Sequence, residues 1–217
     1  MLVWLIRHAE SVANAGAATD DPSGIPVTER GEAQADHLAN AIPRPPALIV
    51  TSPYVRTKLT ARPTLARFPD VTHQEWPVEE FTYLQSLHGQ STTVAQRRPM
   101  VEEYWQRADP SHVDGPGAES FAGLLRRADA FLHRLRQCAS GPVAVFTHGM
   151  FIRAVLWALM TGTASPTAGE MRLFRSFVVT YELPNTAIVH LRLDAGGKGT
   201  FRCGEVAHLP TDLITGA

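Results

Sequence analysis

The sequence predicts an α/β fold built around a mostly parallel sheet. Short, continuous apolar runs recur: LVWLI at 2–6, ALIVT at 47–51 and PVAVFT at 142–147. Each is too short for a helix and carries no polar alternation, which marks a strand buried on both faces. Between these runs lie longer stretches with helical spacing. Strands that alternate with helices return the chain to the same sheet edge, so the sheet is largely parallel.

The elements follow in order. Residues 2–6 form the first strand, and residues 13–26, with Gly16, Pro22, Gly24 and Pro26, form a loop. Thr28 is placed to cap a helix through Ile42, and Pro43, Pro45 and Pro46 stop it. Residues 47–51 are the second strand. Ser52-Pro53 opens a helix to about Phe68, with Pro63 expected to kink or shorten it. Residues 71–75 are a weaker strand candidate. Residues 78–117 are punctuated by Pro and Gly and contain a helical stretch near 94–107. In 119–138, Phe121, Leu124, Leu125, Ala128, Phe131, Leu132 and Leu135 fall on one helical face. Gly141-Pro142 ends that helix and the strand at 142–147 follows. Residues 149–160 and 169–177 read as helices. Residues 186–193 and 200–206 flank AGGKG at 195–199, a hairpin signature.

Composition narrows the function. At 217 residues the chain is one domain, 1–217, with a lid or insertion expected at 78–117. Twenty Lys+Arg against 21 Asp+Glu provide no global basic field for nucleic acid or an anionic membrane. Two cysteines, Cys138 and Cys203, supply neither a disulfide framework nor a zinc CxxC pair. The longest apolar stretch, 143–160, is interrupted by His148 and Arg153, against a membrane span. A cytoplasmic location is the expectation. The other histidines show no metal-ligand spacing, and no HExxH, Walker A loop or GxSxG elbow is present.

Ligands of parallel sheets bind beyond the carboxyl ends of the strands. The residues at those ends are Arg7-His8, Ser52-Pro53 with Arg56 one turn on, Glu79-Glu80, and Thr147-His148-Gly149. Two histidines, two arginines and a carboxylate thus gather at one edge. Neutral imidazole, with an ordinary pKa of about 6.5, is a competent nucleophile toward phosphorus near neutral pH. A transferring phosphoryl group needs preorganised donors on its three outer oxygens. Arg7 and Arg56 offer forked donors, and His148 another. Asn14 adds an amide, and Gly149 a backbone N–H at a helix start.

Five ordered segments carry a family resemblance: Arg7-His8-Ala9-Glu10-Ser11 with Asn14; Thr28-Glu29-Arg30-Gly31-Glu32-Ala33-Gln34-Ala35; Thr51-Ser52-Pro53-Tyr54-Val55-Arg56 with Thr60-Ala61; Gly117-Ala118-Glu119-Ser120; and Val145-Phe146-Thr147-His148-Gly149. They resemble the signatures of the histidine phosphatase superfamily, the phosphoglycerate-mutase-like proteins. Ala9 stands where that family usually has Gly. The resemblance implies a three-layer α/β/α sandwich and a phosphohistidine intermediate. It implies His8 as nucleophile, and Arg7, Arg56 and His148 as the phosphate pocket, assisted by Asn14 and the Gly149 backbone; Ser11 belongs to the same binding motif. The general acid comes from the segment after the third strand, where the family spacing favours Glu80 over Glu79. Tyr83 borders the substrate pocket or packs in the core. Arg97-Arg98 either grips the rest of the substrate or is a solvated pair.

The expected function is a phosphomonoesterase acting on a small-molecule phosphate monoester, a phosphoprotein being the other substrate class, without a cofactor. A phosphomutase of the same fold and a non-catalytic phospho-ligand binder are the alternatives. The resemblance implies a longer, basic insertion after the acid residue in dedicated mutases; here 80–119 is moderate in length with Arg97-Arg98 its only basic cluster, which favours the hydrolase.

Overall fold

The computed structural model describes residues 1–84, 89–138, 141–163, 165–194 and 199–216. The strands are β1 (Leu2–Arg7), β2 (Leu48–Thr51), β3 (His73–Glu75), β4 (Val143–Thr147), β5 (Ile188–Leu193) and β6 (Gly199–Glu205). The helices are α1 (Glu29–Ala41), α2 (Val55–Arg67), α3 (Val94–Arg107), α4 (Phe121–Arg136), α5 (Gly149–Thr161) and α6 (Ala168–Thr180). A 3-10 turn, Thr211–Leu213, follows β6. The sheet order is β3-β2-β4-β1-β5-β6. The four strands from β3 to β1 are parallel, and β5 joins β1 antiparallel, as β6 joins β5.

Strand alternation divides the core in two. Val3, Leu5, Val50, Val143, Val145, Val189 and Leu191 face one side, where they pack with buried residues of α3, α4, α5 and α6. Trp4, Ile6, Ile49, Ala144, Phe146 and Ile188 face the other, against Leu38 and Ile42 near α1 and Ala61 of α2. The result is the α/β/α sandwich that the resemblance implies.

Local chemistry sets most boundaries. Thr28 caps α1 by accepting from the Gly31 N–H at 3.0 Å, and Ser120 caps α4 through Gly123. Thr167 and Glu170 form a reciprocal capping box, so α6 starts one residue earlier than expected and runs on to Thr180. Pro63 and Pro99 lie inside α2 and α3 without ending them. β3 is only three residues and exposed, shorter than the 71–75 expected. β5 begins at Ile188 rather than at Thr186, because Thr186 takes a left-handed turn, φ 59°. The expected turn at 195–199 falls outside the described residues except for Gly199. The expected lid contributes α3, whose Tyr104 and Trp105 are buried in the larger core.

Helix α6 offers a direct check of this packing. Phe174 is fully buried against Phe121, ring centroids 5.0 Å apart. Its neighbour Leu173 is 62% exposed. Phe174→Ala is expected to lower the unfolding free energy by roughly 3–5 kcal/mol. Leu173→Ala should change it by less than about 0.5 kcal/mol. Urea denaturation of the two variants compares them.

Candidate active site

The parallel register brings distant residues to one edge. Arg7 pairs with Thr147 across β1 and β4, and Thr51 with Phe146 across β2 and β4. The ladder then extends one step past the strands: the His8 N–H donates to the Thr147 carbonyl at 2.9 Å, and the Ser52 N–H to the Phe146 carbonyl at 3.1 Å. His8 and His148 therefore leave adjacent strands together, their ring centroids 5.2 Å apart. Beside them opens a cavity of about 330 Å³, walled by Arg7, His8, Ser11, Asn14, Arg56 and Glu80 at one end.

His8 is almost fully buried, and its Nδ1 lies 2.8 Å from the Ala9 carbonyl. A carbonyl only accepts, so Nδ1 carries the proton and Nε2 keeps its lone pair. Nε2 makes no hydrogen bond among the described residues, and His8 borders the cavity. The Ala9 N–H is held by Thr60 Oγ1 at 2.9 Å, while the Thr60 hydroxyl donates to the Arg56 carbonyl at 2.6 Å. One threonine on α2 thereby locks the loop that carries His8 to the turn that carries Arg56.

Both arginines are held by backbone carbonyls rather than by carboxylates. Arg7 donates through one terminal nitrogen to the carbonyls of Leu183 and Gly216. Its Nε is buried and has no partner among the described residues. Arg56 donates to the Pro22 carbonyl at 2.5 Å and lies over the Tyr54 ring, 5.0 Å from its centroid. Neither forms a salt bridge among the described residues. Burial pushes the Arg7 guanidinium down to about 10, against the opposing pull of Glu80, and it stays cationic near neutral pH. Burial lowers Arg56 as well, again opposed by Glu80. A buried cation, Arg56, and a half-buried one, Arg7, thus border a cavity that Glu80 and Asp20 also line.

Glu80 Oε1 accepts from the Phe81 N–H at 3.0 Å and from the Met150 N–H, in the first turn of α5, at 3.1 Å. No hydrogen bond to Oε2 forms among the described residues. Glu79 turns the other way: its Oε2 lies 3.4 Å from Arg127, which also binds Glu119 at 2.6 Å. Glu79 does not border the cavity.

The remaining predicted residues divide. Ser11 and Asn14 border the cavity; Asn14 Oδ1 accepts from the Ser11 hydroxyl at 3.1 Å and the Ser11 N–H at 3.2 Å. Tyr83 also borders it, stacked on Phe81 with centroids 4.6 Å apart. His148 and Gly149 sit one layer behind the wall. His148 is fully buried, with Nε2 2.9 Å from Ser52 Oγ and Nδ1 unpartnered among the described residues. At Gly149 a Cβ would make ordinary contact with Arg7 Nε, at 3.6 Å, and press on an Arg153 terminal nitrogen at 3.0 Å. Arg97 borders the cavity, while Arg98 is exposed and pairs with Glu102.

Sequence reasoning missed the roles of Gln34 and Asn185. Gln34 Oε1 accepts from the Glu10 N–H at 2.7 Å. Asn185 Nδ2 donates to the His8 carbonyl at 3.0 Å and to Asn14 Oδ1 at 3.2 Å. Gln34 lies in a quoted motif, where Gly31 is also required: a Cβ there would stand 2.2 Å from the Glu10 carbonyl. Asn185 had no such signal, because its partners are remote in sequence.

The two histidines also set a pH dependence. His8 is held well below its ordinary value by burial, then by Arg56 and Arg7. His148 is lowered likewise by burial, Arg56 and His8. A histidine that binds its proton less readily when folded favours unfolding as the pH falls below its unfolded value. Stability is therefore expected to be full above about pH 6.5 and to decline progressively below it. His148→Asn should make that decline shallower. Urea midpoints measured across the interval check both statements.

A family model described as histidine phosphatase superfamily (branch 1) matches residues 3–202. No curated protein sequence matches the chain significantly. Among solved structures, the chain is similar to the phosphoserine phosphatase of Entamoeba histolytica in complex with 3-phosphoglyceric acid, with TM-score 0.74, 20% identity, and coverage of 96% of this chain and 99% of that one. It is also similar to the alpha-ribazole phosphatase of Shigella flexneri, with TM-score 0.72, 19% identity, and coverage of 94% and 96%. A mycobacterial glucosyl-3-phosphoglycerate phosphatase in complex with VO3 matches with TM-score 0.71, 22% identity, and coverage of 92% and 96%. These likenesses establish the fold, and the family model spans most of the chain, so the protein belongs to branch 1 of the histidine phosphatase superfamily.

Proposed function

We propose that the protein is a phosphomonoesterase that works through a phosphohistidine on His8. The observation that carries this reading is the pairing of a neutral His8, its Nε2 at a cavity, with the Arg7 and Arg56 guanidiniums, half-buried and buried, that form no salt bridge among the described residues. Such an arrangement favours a dianionic ligand next to a nucleophile. A phosphate monoester would place its phosphoryl oxygens among Arg7, Arg56 and the Asn14 amide. The His8 Nε2 lone pair attacks phosphorus in line, and the ester P–O bond breaks. Protonated Glu80 gives its proton to the departing oxygen. Water then attacks the phosphohistidine, Glu80 takes a proton from it, and the P–N bond breaks to release inorganic phosphate. The His148 ring, itself hydrogen-bonded to Ser52, lies against the His8 ring from behind. Glu80 rather than Glu79 suits the acid role, because Glu79 is engaged by Arg127.

The far end of the cavity shapes the substrate. Ile25, Phe81, Leu84, Val94 and Val101 give it an apolar wall, and Arg97 adds a cation held by the Thr92 carbonyl at 2.7 Å. This favours a small phosphate monoester with an apolar body and an anionic or acceptor group opposite Arg97. The similar phosphoserine and glucosyl-3-phosphoglycerate phosphatases bear names of phosphate esters that carry a carboxylate, matching the anionic group but on polar rather than apolar bodies.

Rapid acid-free quenching with radiolabelled phosphate ester is expected to trap an alkali-stable, acid-labile protein adduct. Label that persists in His8→Ala would overturn the assignment. Glu80→Gln should slow esters with poor leaving groups by roughly 10²-fold or more while sparing p-nitrophenyl phosphate, whose leaving group departs without a proton. Glu79→Gln should slow both alike and weakly. A greater leaving-group dependence at Glu79 would reassign the acid.

Arg97 tests the substrate reading. Arg97→Ala is expected to raise KM for anionic phosphate esters several-fold while leaving p-nitrophenyl phosphate nearly unchanged. Arg98→Ala should change neither. Steady-state kinetics on a panel of both ester types decides it.

A further inference from the structure

The last described segment of the chain, residues 211–216, is strapped across the back of the nucleophile loop. Gln34 Nε2 donates to the Leu213 carbonyl at 2.7 Å and to Thr215 Oγ1 at 2.8 Å. The Asn185 N–H donates to the Thr215 carbonyl at 2.9 Å, and the Thr215 hydroxyl donates to Asn185 Oδ1 at 3.2 Å. Gln34 and Asn185 also hold the nucleophile loop from their other ends, through the Glu10 N–H and the His8 carbonyl. The same two side chains thus fix loop and strap to one another.

The strap ends on Arg7. The Gly216 carbonyl accepts from an Arg7 terminal nitrogen at 2.5 Å, and the Leu183 carbonyl accepts from that same nitrogen. Two carbonyls on one nitrogen turn the planar guanidinium about its long axis and fix where its remaining N–H groups point. Gly216 adopts φ 72°, and a Cβ there would lie 2.2 Å from Asn185 Oδ1. Only glycine delivers its carbonyl along this path. The turn at 183–186 is likewise constrained, since β-branched Thr186 sits at φ 59° with its N–H 3.4 Å from the His8 carbonyl. Strain held beside a nucleophile points to a geometric requirement rather than to packing alone.

We propose that the strap at 211–216, with Asn185 and Gln34, is a positioning device that sets the Arg7 guanidinium for phosphoryl transfer. This inference rests on the phosphomonoesterase reading, in which Arg7 meets the phosphoryl oxygens. The strap itself touches no substrate; it acts through Arg7.

A double-mutant cycle tests it, with p-nitrophenyl phosphate as substrate and inorganic phosphate as competitive inhibitor. The four proteins are the full chain, a chain ended after Ile214, Arg7→Ala, and the two changes combined. Truncation alone is expected to lower kcat/KM by roughly 10-fold or more and to weaken phosphate inhibition in parallel, since small misplacements of an oriented group are costly. In the Arg7→Ala background, truncation should cost less than about 2-fold, because its target is already gone. Equal losses in both backgrounds, or no loss in either, overturn the proposal. If the truncated chain fails to fold, Thr215→Val and Gly216→Ala run the same cycle at full length, with Thr215→Ser expected to retain activity. A full chain without phosphatase activity, or one indifferent to Arg7→Ala, brings down the functional reading and this inference together. An active, Arg7-dependent enzyme with an additive cycle brings down this inference alone.

Discussion

The in-register parallel pairing of β1 with β4, and of β4 with β2, is the constraint on which the rest of the molecule depends. It aligns Arg7 with Thr147 and Thr51 with Phe146, so three chain segments leave the sheet at the same level. His8, Ser52 and His148 are the residues that follow. A slip of one residue in β1 would exchange Val3 and Leu5 for Trp4 and Ile6 between the two cores. It would also carry His8 away from the Thr147 carbonyl and from the His148 ring. Core packing and site geometry are thus set by one register, and the apolar residues on both faces of β1 hold it.

Charge is arranged against the usual preference of a folded protein. Arg56 is buried and Arg7 half-buried, neither has a salt-bridge partner among the described residues, and desolvation disfavours both charges. Backbone carbonyls of Leu183, Gly216 and Pro22 supply hydrogen bonds but cancel little charge. Glu80, which lines the cavity beside them, opposes both shifts. Burial, reinforced by the surplus of positive charge, keeps His8 neutral, which a nitrogen nucleophile requires, and that surplus leaves a field suited to a dianion. One electrostatic imbalance therefore serves the proposed nucleophile and the proposed ligand together.

Around this centre, uncharged side chains hold the geometry. Thr60 joins the nucleophile loop to α2, Gln34 joins it to α1, and Asn185 joins it to the turn before β5. Each ties two backbone segments together through a side chain. Arg127 plays a similar part for the acidic residues, drawing Glu79 and Glu119 together and away from the cavity. Adjacent glutamates with the same local chemistry are thereby given different surroundings.

The sequence by itself determined the strands, the helices and most of the cavity's polar end. Apolar runs such as VAVFT and the spacing from Phe121 to Leu135 are local patterns, and Thr28 and Ser120 cap helices through neighbours three residues away. His8, Arg7 and Arg56 were legible because a parallel sheet places such residues at its carboxyl edge. Only the tertiary structure decided which glutamate faces the cavity, that Arg97 does so and Arg98 does not, and that His148 and Gly149 stand behind the wall. It alone revealed Asn185 and the strap that ends on Arg7. The physical reason is range. Backbone conformation and amphipathic spacing act over a few residues and leave a trace in the chain, whereas a side chain's direction depends on partners such as Arg127, Thr215 or Gly216 that only the fold brings near.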